Sequence, residues 1–272
     1  MKMINSGLAS ISFRKLDCVS VARLAKDAGL RGIEWIGDAH VPAGDIGKAR
    51  EAASATADAG LQVAGYGSYF RAGEKRDDLP EFPLVLESAL ELGAPVIRAW
   101  AGLRPSSESD AAHRARVIKD LVDAGERAKD AGIKIALEYH AKTLTDSDAS
   151  ALDLLKELEG SNVYFYWQPP NRNVADNLAV LRQLKNRLVN IHVFHWVKTA
   201  EGFDRRPLDE AADEWRQYLS VPDWEGTRFA LLEFIRGDQP EQLIADAATL
   251  NKWLANLSRM SKITCSHSHT AG

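Results

Sequence analysis

Two histidines stand three residues apart in NIHVFHW, Asn190 to Trp196, inside a run that otherwise reads as a buried β-strand. Side chains alternate across a strand, so residues three apart face opposite ways. Taking Val189, Ile191 and Val193 as the outer side leaves Asn190, His192 and Phe194 pointing inward. His192 is then the inward histidine, and His195 falls at or beyond the strand end. The same alternation in KIALEYH puts Ala136, Glu138 and His140 on one face. In RFALLEF it turns Glu233 inward between Leu232 and Phe234, and in VYFYWQP it leaves Gln168 at the end of the face opposite Val163, Phe165 and Trp167. Glu34 between Ile33 and Trp35, and Arg98 between Ile97 and Ala99, repeat the pattern.

Glu138, Gln168, His192 and Glu233 thus come from four successive strands, each near its C-terminal end. This mixture of oxygen and nitrogen donors suits one divalent ion, with Mn²⁺ the first choice and Mg²⁺, Co²⁺ or Zn²⁺ as alternatives. Two inward carboxylates with no cation between them would repel and push their pKa values up, and a metal resolves that conflict. Each residue alone also has a plainer reading: a glutamate paired with Arg98, a core histidine, a glutamine capping a loop.

The elements that must position these groups follow from periodicity. Eight short apolar runs read as strands: MINSGLASISF, GIEWI, QVAGYGSYF, PVIRAWAG, KIALEYH, VYFYWQP, LVNIHVFHW and RFALLEF. Amphipathic helical stretches lie between them. DAGL at 27–30, DAGL at 58–61 and DAGI at 130–133 each close a helix and lead into a strand, with glycine where helices commonly end. Regular βα alternation argues for a parallel sheet, and eight units without a composition break argue for an α/β fold, a single (β/α)8 TIM barrel over residues 1–260. Active sites of this fold sit at the C-terminal ends of the strands, where the charged residues lie. An open doubly wound sheet would carry a Gly-rich phosphate loop after its first strand, and RKLDCVSVARL has none. Residues 261–272 read as a disordered tail, with His267 and His269 solvated.

The 272 residues are 45% hydrophobic and 26% charged with a net charge of −4, which gives no electrostatic reason to expect nucleic acid or an anionic membrane as partner. Cys18 and Cys265 have no metal spacing and read as free thiols in a reducing, cytoplasmic compartment. No run is long and apolar enough to span a bilayer, and the N-terminus reads as a strand, not a signal peptide.

GIEWIGDAHVPAGD, GYGSYFRAG, VIRAWAG, ALEYHAKTLTDS, YWQPPN, NIHVFHW and LLEF, in this order and strand placement, resemble the sugar phosphate isomerase/epimerase superfamily of xylose isomerase-like TIM barrels. That resemblance covers roughly Ile4 to Leu257. It implies one divalent metal held by Glu138, His192 and Glu233, with Gln168 standing where the family usually has Asp, which removes one negative charge from the ligand set. It also implies an isomerase or epimerase of a sugar or sugar derivative, with Glu138 and Glu233 as the catalytic pair that removes and returns a proton through an enediolate. Around them, His40, Arg98, Trp100, His140, His195, Lys198 and Arg236 are expected to bind the small-molecule substrate, with Trp35, Trp100 and Trp196 as apolar platforms. A lyase acting on a keto-sugar shares the first step. A non-catalytic sugar-binding barrel is the third reading, prompted by Gln168. An endonuclease of the endonuclease IV type would need more His and carboxylate ligands than these. A homo-oligomer is left open.

Overall fold

The computed structural model describes residues 3–170, 173–221 and 227–267, with side chains for 4–170, 173–221 and 228–258. In chain order the strands are β1 (Met3–Ala9), β2 (Gly32–Ile36), β3 (Gln62–Arg71), β4 (Val96–Trp100), β5 (Lys134–Glu138), β6 (Val163–Trp167), β7 (Leu188–Val193), β8 (Trp196–Thr199), β9 (Gly202–Arg205) and β10 (Thr227–Leu232). Eight of them close a parallel barrel in the order β1-β10-β7-β6-β5-β4-β3-β2, and β8 and β9 form a separate antiparallel hairpin. The helices are α1 (Cys18–Asp27), α2 (Ile46–Asp58), α3 (Phe82–Leu92), α4 (Ala111–Asp130), α5 (Asp148–Glu157), α6 (Val174–Leu184), α7 (Ala212–Leu219) and α8 (Pro240–His267). The barrel expected from the sequence is the fold observed.

Local chemistry sets these boundaries. Asp17, Asp45, Asp110, Ser147 and Asn173 each cap a helix by accepting from a backbone N–H three residues on. The DAG repeats end α1, α2 and α4 in one way. At the first, Gly29 takes φ 71° and the Leu30 N–H reaches back to the Ala25 carbonyl at 3.0 Å, satisfying a carbonyl the helix leaves free. The strand then enters the barrel with both faces buried, as in β2 and β4.

Two boundaries depart from expectation. β1 stops at Ala9, and Ser10–Phe13 form a 3₁₀ turn. The Ser10 hydroxyl accepts from the Ile36 N–H at 3.0 Å, which draws the turn against β2. At the other end, α8 remains helical to His267, through the first part of the segment expected to be disordered. His269 lies outside the described residues, and so does the side chain of Cys265. Cys18 is a buried free thiol.

The barrel is plugged below its mouth. Tyr166, Phe229, Leu231, Ala64 and Ala136 pack together inside. Asn190 crosses this layer, donating to the Tyr166 hydroxyl at 2.7 Å and the Ala64 carbonyl at 3.1 Å, and accepting from the Phe229 N–H at 2.9 Å. A buried amide satisfied on both ends makes a rigid floor. Among the described residues, no helix is long and apolar enough to cross a membrane.

Candidate active site

Glu138 ends β5, His192 lies near the end of β7, Gln168 follows β6, and Glu233 follows β10. Their convergence is close. His192 Nδ1 has Gln168 Oε1 at 3.2 Å, Glu233 Oε2 at 3.4 Å and Glu138 Oε1 at 3.6 Å. One ligand atom from each of Glu138, His192 and Glu233 falls within 4.8 Å of the others. Donors about 2.1 Å from one ion stand roughly 3.0–3.4 Å from one another, so this spacing fits a shared cation. Glu233 Oε2 is buried without a hydrogen-bond partner, as a waiting ligand oxygen would be. These four residues fit a divalent ion.

Gln168 is held for this role. Its Nε2 donates to the Tyr139 carbonyl at 2.6 Å, which leaves Oε1 facing His192. An aspartate could not make that bond, because a carboxylate only accepts.

The surrounding charges are arranged unequally. Arg98, 3% exposed, places Nε 3.1 Å from Glu34 Oε1 and Nη1 on Glu138 Oε2. Trp100 Nε1 donates to the same Glu138 oxygen at 2.6 Å. Burial alone would raise the Glu138 carboxyl, but Arg98 and His192 outweigh it and hold it well below the usual range. Glu233 has no such clamp. Burial pushes its carboxyl up, against the pull of His192 and with the Glu138 charge adding to the rise. On the far side of the imidazole, Glu34 Oε1 lies 3.3 Å from His192 Nε2, near enough to pair with it though off line for a hydrogen bond. Burial opposes charge on His192, yet Glu233 and Glu34 together raise it to about 10. Glu34 therefore orients the histidine from behind.

A cavity of about 640 Å³ opens above these groups. Arg98, Trp100, Glu138, His140, Gln168, His195 and Glu233 line it, while His192 is sealed beneath. His140 packs its ring 4.8 Å from Trp100. Three residues expected at the substrate do not line it. His40 is 2% exposed, with Nδ1 3.0 Å from the Ser10 hydroxyl, Nε2 3.1 Å from the Leu16 carbonyl, and its ring edge-on to Trp35. It is a structural histidine joining the first two βα loops. Lys198 is exposed on the hairpin, and Arg236 is exposed on the 3₁₀ turn after β10. Of the proposed tryptophan platforms, Trp100 and Trp196 line the cavity, and Trp35 is fully buried and donates to the Thr56 hydroxyl.

The sequence reading left two features out of the site. Glu34 was legible as a charge on a buried strand but was assigned no role. The other is the set of phenylalanines, Phe194, Phe203 and Phe234, that joins Trp196 in an aromatic wall along the cavity. Phe234, the residue after Glu233, sits at φ 53°, costly for a bulky side chain and characteristic of a functional site.

Comparison with known proteins narrows the setting. Over 190 residues the chain is 28% identical to the 2-oxo-tetronate isomerase of Haemophilus influenzae, a match covering 66% of this chain and 64% of that protein. The fold is shared with the probable 3-DHS dehydratase AsbF of Bacillus anthracis, at TM-score 0.74 and 20% identity over 91% of this chain and 99% of that one. It is shared also with a Mycobacterium smegmatis xylose isomerase-like TIM barrel protein solved with magnesium, at TM-score 0.69 and 15% identity over 93% and 97%. With residues 22–256 matching the model of that family, the chain belongs to the xylose isomerase-like TIM barrels.

Proposed function

We propose that this chain is a divalent-metal-dependent enzyme that isomerises a sugar or sugar derivative by moving a proton beside a carbonyl. The observation that carries the reading is the convergence of Glu138, Gln168, His192 and Glu233 on one point at the cavity floor. A divalent ion there, Mn²⁺ being well suited to mixed N and O donors, supplies a Lewis acid for a carbonyl oxygen.

The protein's own groups divide the remaining work. Glu138 has one oxygen committed to Arg98 and Trp100, so it serves as an anchor. Glu233, which has no clamp of that kind, is the group suited to take a proton from one carbon and return it to the next. Isomerisation between neighbouring carbons needs one such carrier. Epimerisation needs a second acid on the opposite face, and the clamp on Glu138 disfavours it for that role. The similarity to a 2-oxo-tetronate isomerase agrees with this choice. Elimination from a keto-sugar is the second reading, favoured by the same single mobile carboxylate.

The test is proton NMR of ketoses and 2-oxo acids incubated with the Mn²⁺-loaded protein in D₂O. Isomerisation predicts deuterium at the carbon beside the carbonyl in the product, lost in Glu233→Gln. A lyase would give an unsaturated product absorbing in the near ultraviolet. No exchange with any sugar, under conditions where the ion is bound, would sink the enzyme reading.

A further inference from the structure

Arg98, Glu138 and Glu233 lie at the cavity's floor, the exposed Lys142, Asp146 and Glu214 line it as well, and one side of its wall is aromatic. That side is built largely on the hairpin. Trp196 packs its ring 4.7 Å from Phe194, 4.7 Å from Phe234 and 5.2 Å from Phe203. Hairpin register pairs Trp196 with Arg205 and Lys198 with Phe203, so Trp196 and Phe203 share one face, which is turned to the cavity. The other side comes from β3 and β4, three to four places round the ring from β7 and β10. There Tyr69 stands edge-on to Trp100 at 5.2 Å, with the Arg71 guanidinium 3.8 Å over the same indole.

The hairpin wall is held rigidly. Arg205 lies 5.2 Å over Phe234 and bonds to Asp238 at 2.7 Å. The Arg206 N–H donates to the His195 carbonyl, and Trp215 Nε1 to the Phe194 carbonyl. Phe203 nonetheless remains 53% exposed on a strand pair that the barrel does not need for closure. A rigid, half-exposed ring continuous with a reaction cavity is a surface prepared for a ligand. Polar groups line the rest of the cavity, His140, Asn177 and His195 among them, while the hairpin side offers rings. About 640 Å³ is also the size of a pocket for a drug-sized molecule.

We infer that the substrate carries an aromatic substituent on its carbonyl-bearing polyol, the reacting carbons lying over Glu233 and the substituent lying between Trp196, Phe203 and Trp100. This rests on the proton-transfer reading for the identity of the polar end. The test is calorimetric titration of the Mn²⁺-loaded protein with a 3-keto-hexose and with its phenyl glycoside. The phenyl compound is expected to bind roughly tenfold tighter or better, as a ring contact of this kind confers. In Phe203→Ala the ratio of the two affinities falls toward one, and in Phe203→Trp it is kept. Phe203 is half-exposed, so neither variant threatens folding. Equal affinities in the wild type, no binding of either compound, or an advantage that survives both Phe203→Ala and Trp196→Ala would overturn the inference. Deuterium exchange, scored separately across ketoses and 2-oxo acids, reports on the proton-transfer reading by itself.

Discussion

Replacing Arg98 with methionine tests the electrostatic logic of the site. The guanidinium is 3% exposed and neutralises two carboxylates that are themselves buried, Glu34 at 0% and Glu138 at 4%. At 3.1 Å and an effective dielectric of about 20, the Glu34 contact alone is worth about 5 kcal/mol of gross attraction. Much of that is offset by removing the charges from water, and breaking such a pair costs a net of about 3–5 kcal/mol because it strands buried charge. Here one deletion strands two carboxylates, with Glu233 nearby as a third. For a chain of this size the loss corresponds to about 6–12 °C in melting temperature. The assay is thermal unfolding followed by circular dichroism, in chelator so that no bound cation compensates. The double variant Arg98→Met, Glu34→Gln removes one stranded charge and should regain about 2 kcal/mol, a coupling that independent sites would not show. An Arg98→Met protein melting within about 2 °C of the wild type would refute the claim that this arginine neutralises the cluster. So would a double variant no better than the sum of its parts.

Other outcomes follow from the same geometry. Mn²⁺ at a hundred times its dissociation constant should stabilise the protein by about 2.7 kcal/mol, read as a melting shift that chelator abolishes and that Glu138→Gln lacks. Gly67→Ala should destabilise by about 1–3 kcal/mol in the same melts, since an added Cβ would stand 2.7 Å from Arg98 Nη2 and 3.1 Å from Glu34 Oε1. His40 should make the fold acid-sensitive. Burial lowers its pKa, so the unfolded chain takes up a proton more readily than the folded one. Its contribution is complete above about pH 6.5 and is lost as pH falls below that value. His113 is shifted the same way by burial, so His40→Gln should flatten only part of the fall in melting temperature between pH 7.5 and 5. An unchanged slope would contradict the assignment.

Which groups face the barrel interior was readable from sequence because the strand period is two. A one-residue slip would put Glu138, His192 and Glu233 among the helices, and no core tolerates that. Which inward groups meet was not readable, because that depends on barrel stagger. Glu34 shows the difference. On β2 it pairs in register with Ala9 and Gly65, across a bulge that follows Ile33; it reaches Arg98 across the intervening β3, and closure of the ring carries it behind His192. His40 fails for a related reason. GDAHVPAGD follows a strand and reads as a mouth loop, but the His40 and Val41 N–H groups both turn back to the Ile36 carbonyl, and the ring drops beside Ser10. The hairpin gave little signal, because Ala200–Glu201 is no usual turn pair and both faces of β8 and β9 mix apolar and polar residues. Gly67 joins these observations. A bare hydrogen would be an odd choice at a buried position of β3 unless something must pass over it, and what passes is the Arg98–Glu34 pair. Gly67, Arg98 and Glu34 thus form one device that fixes His192 from behind and Glu138 from the side, leaving Glu233 as the carboxylate without such a clamp.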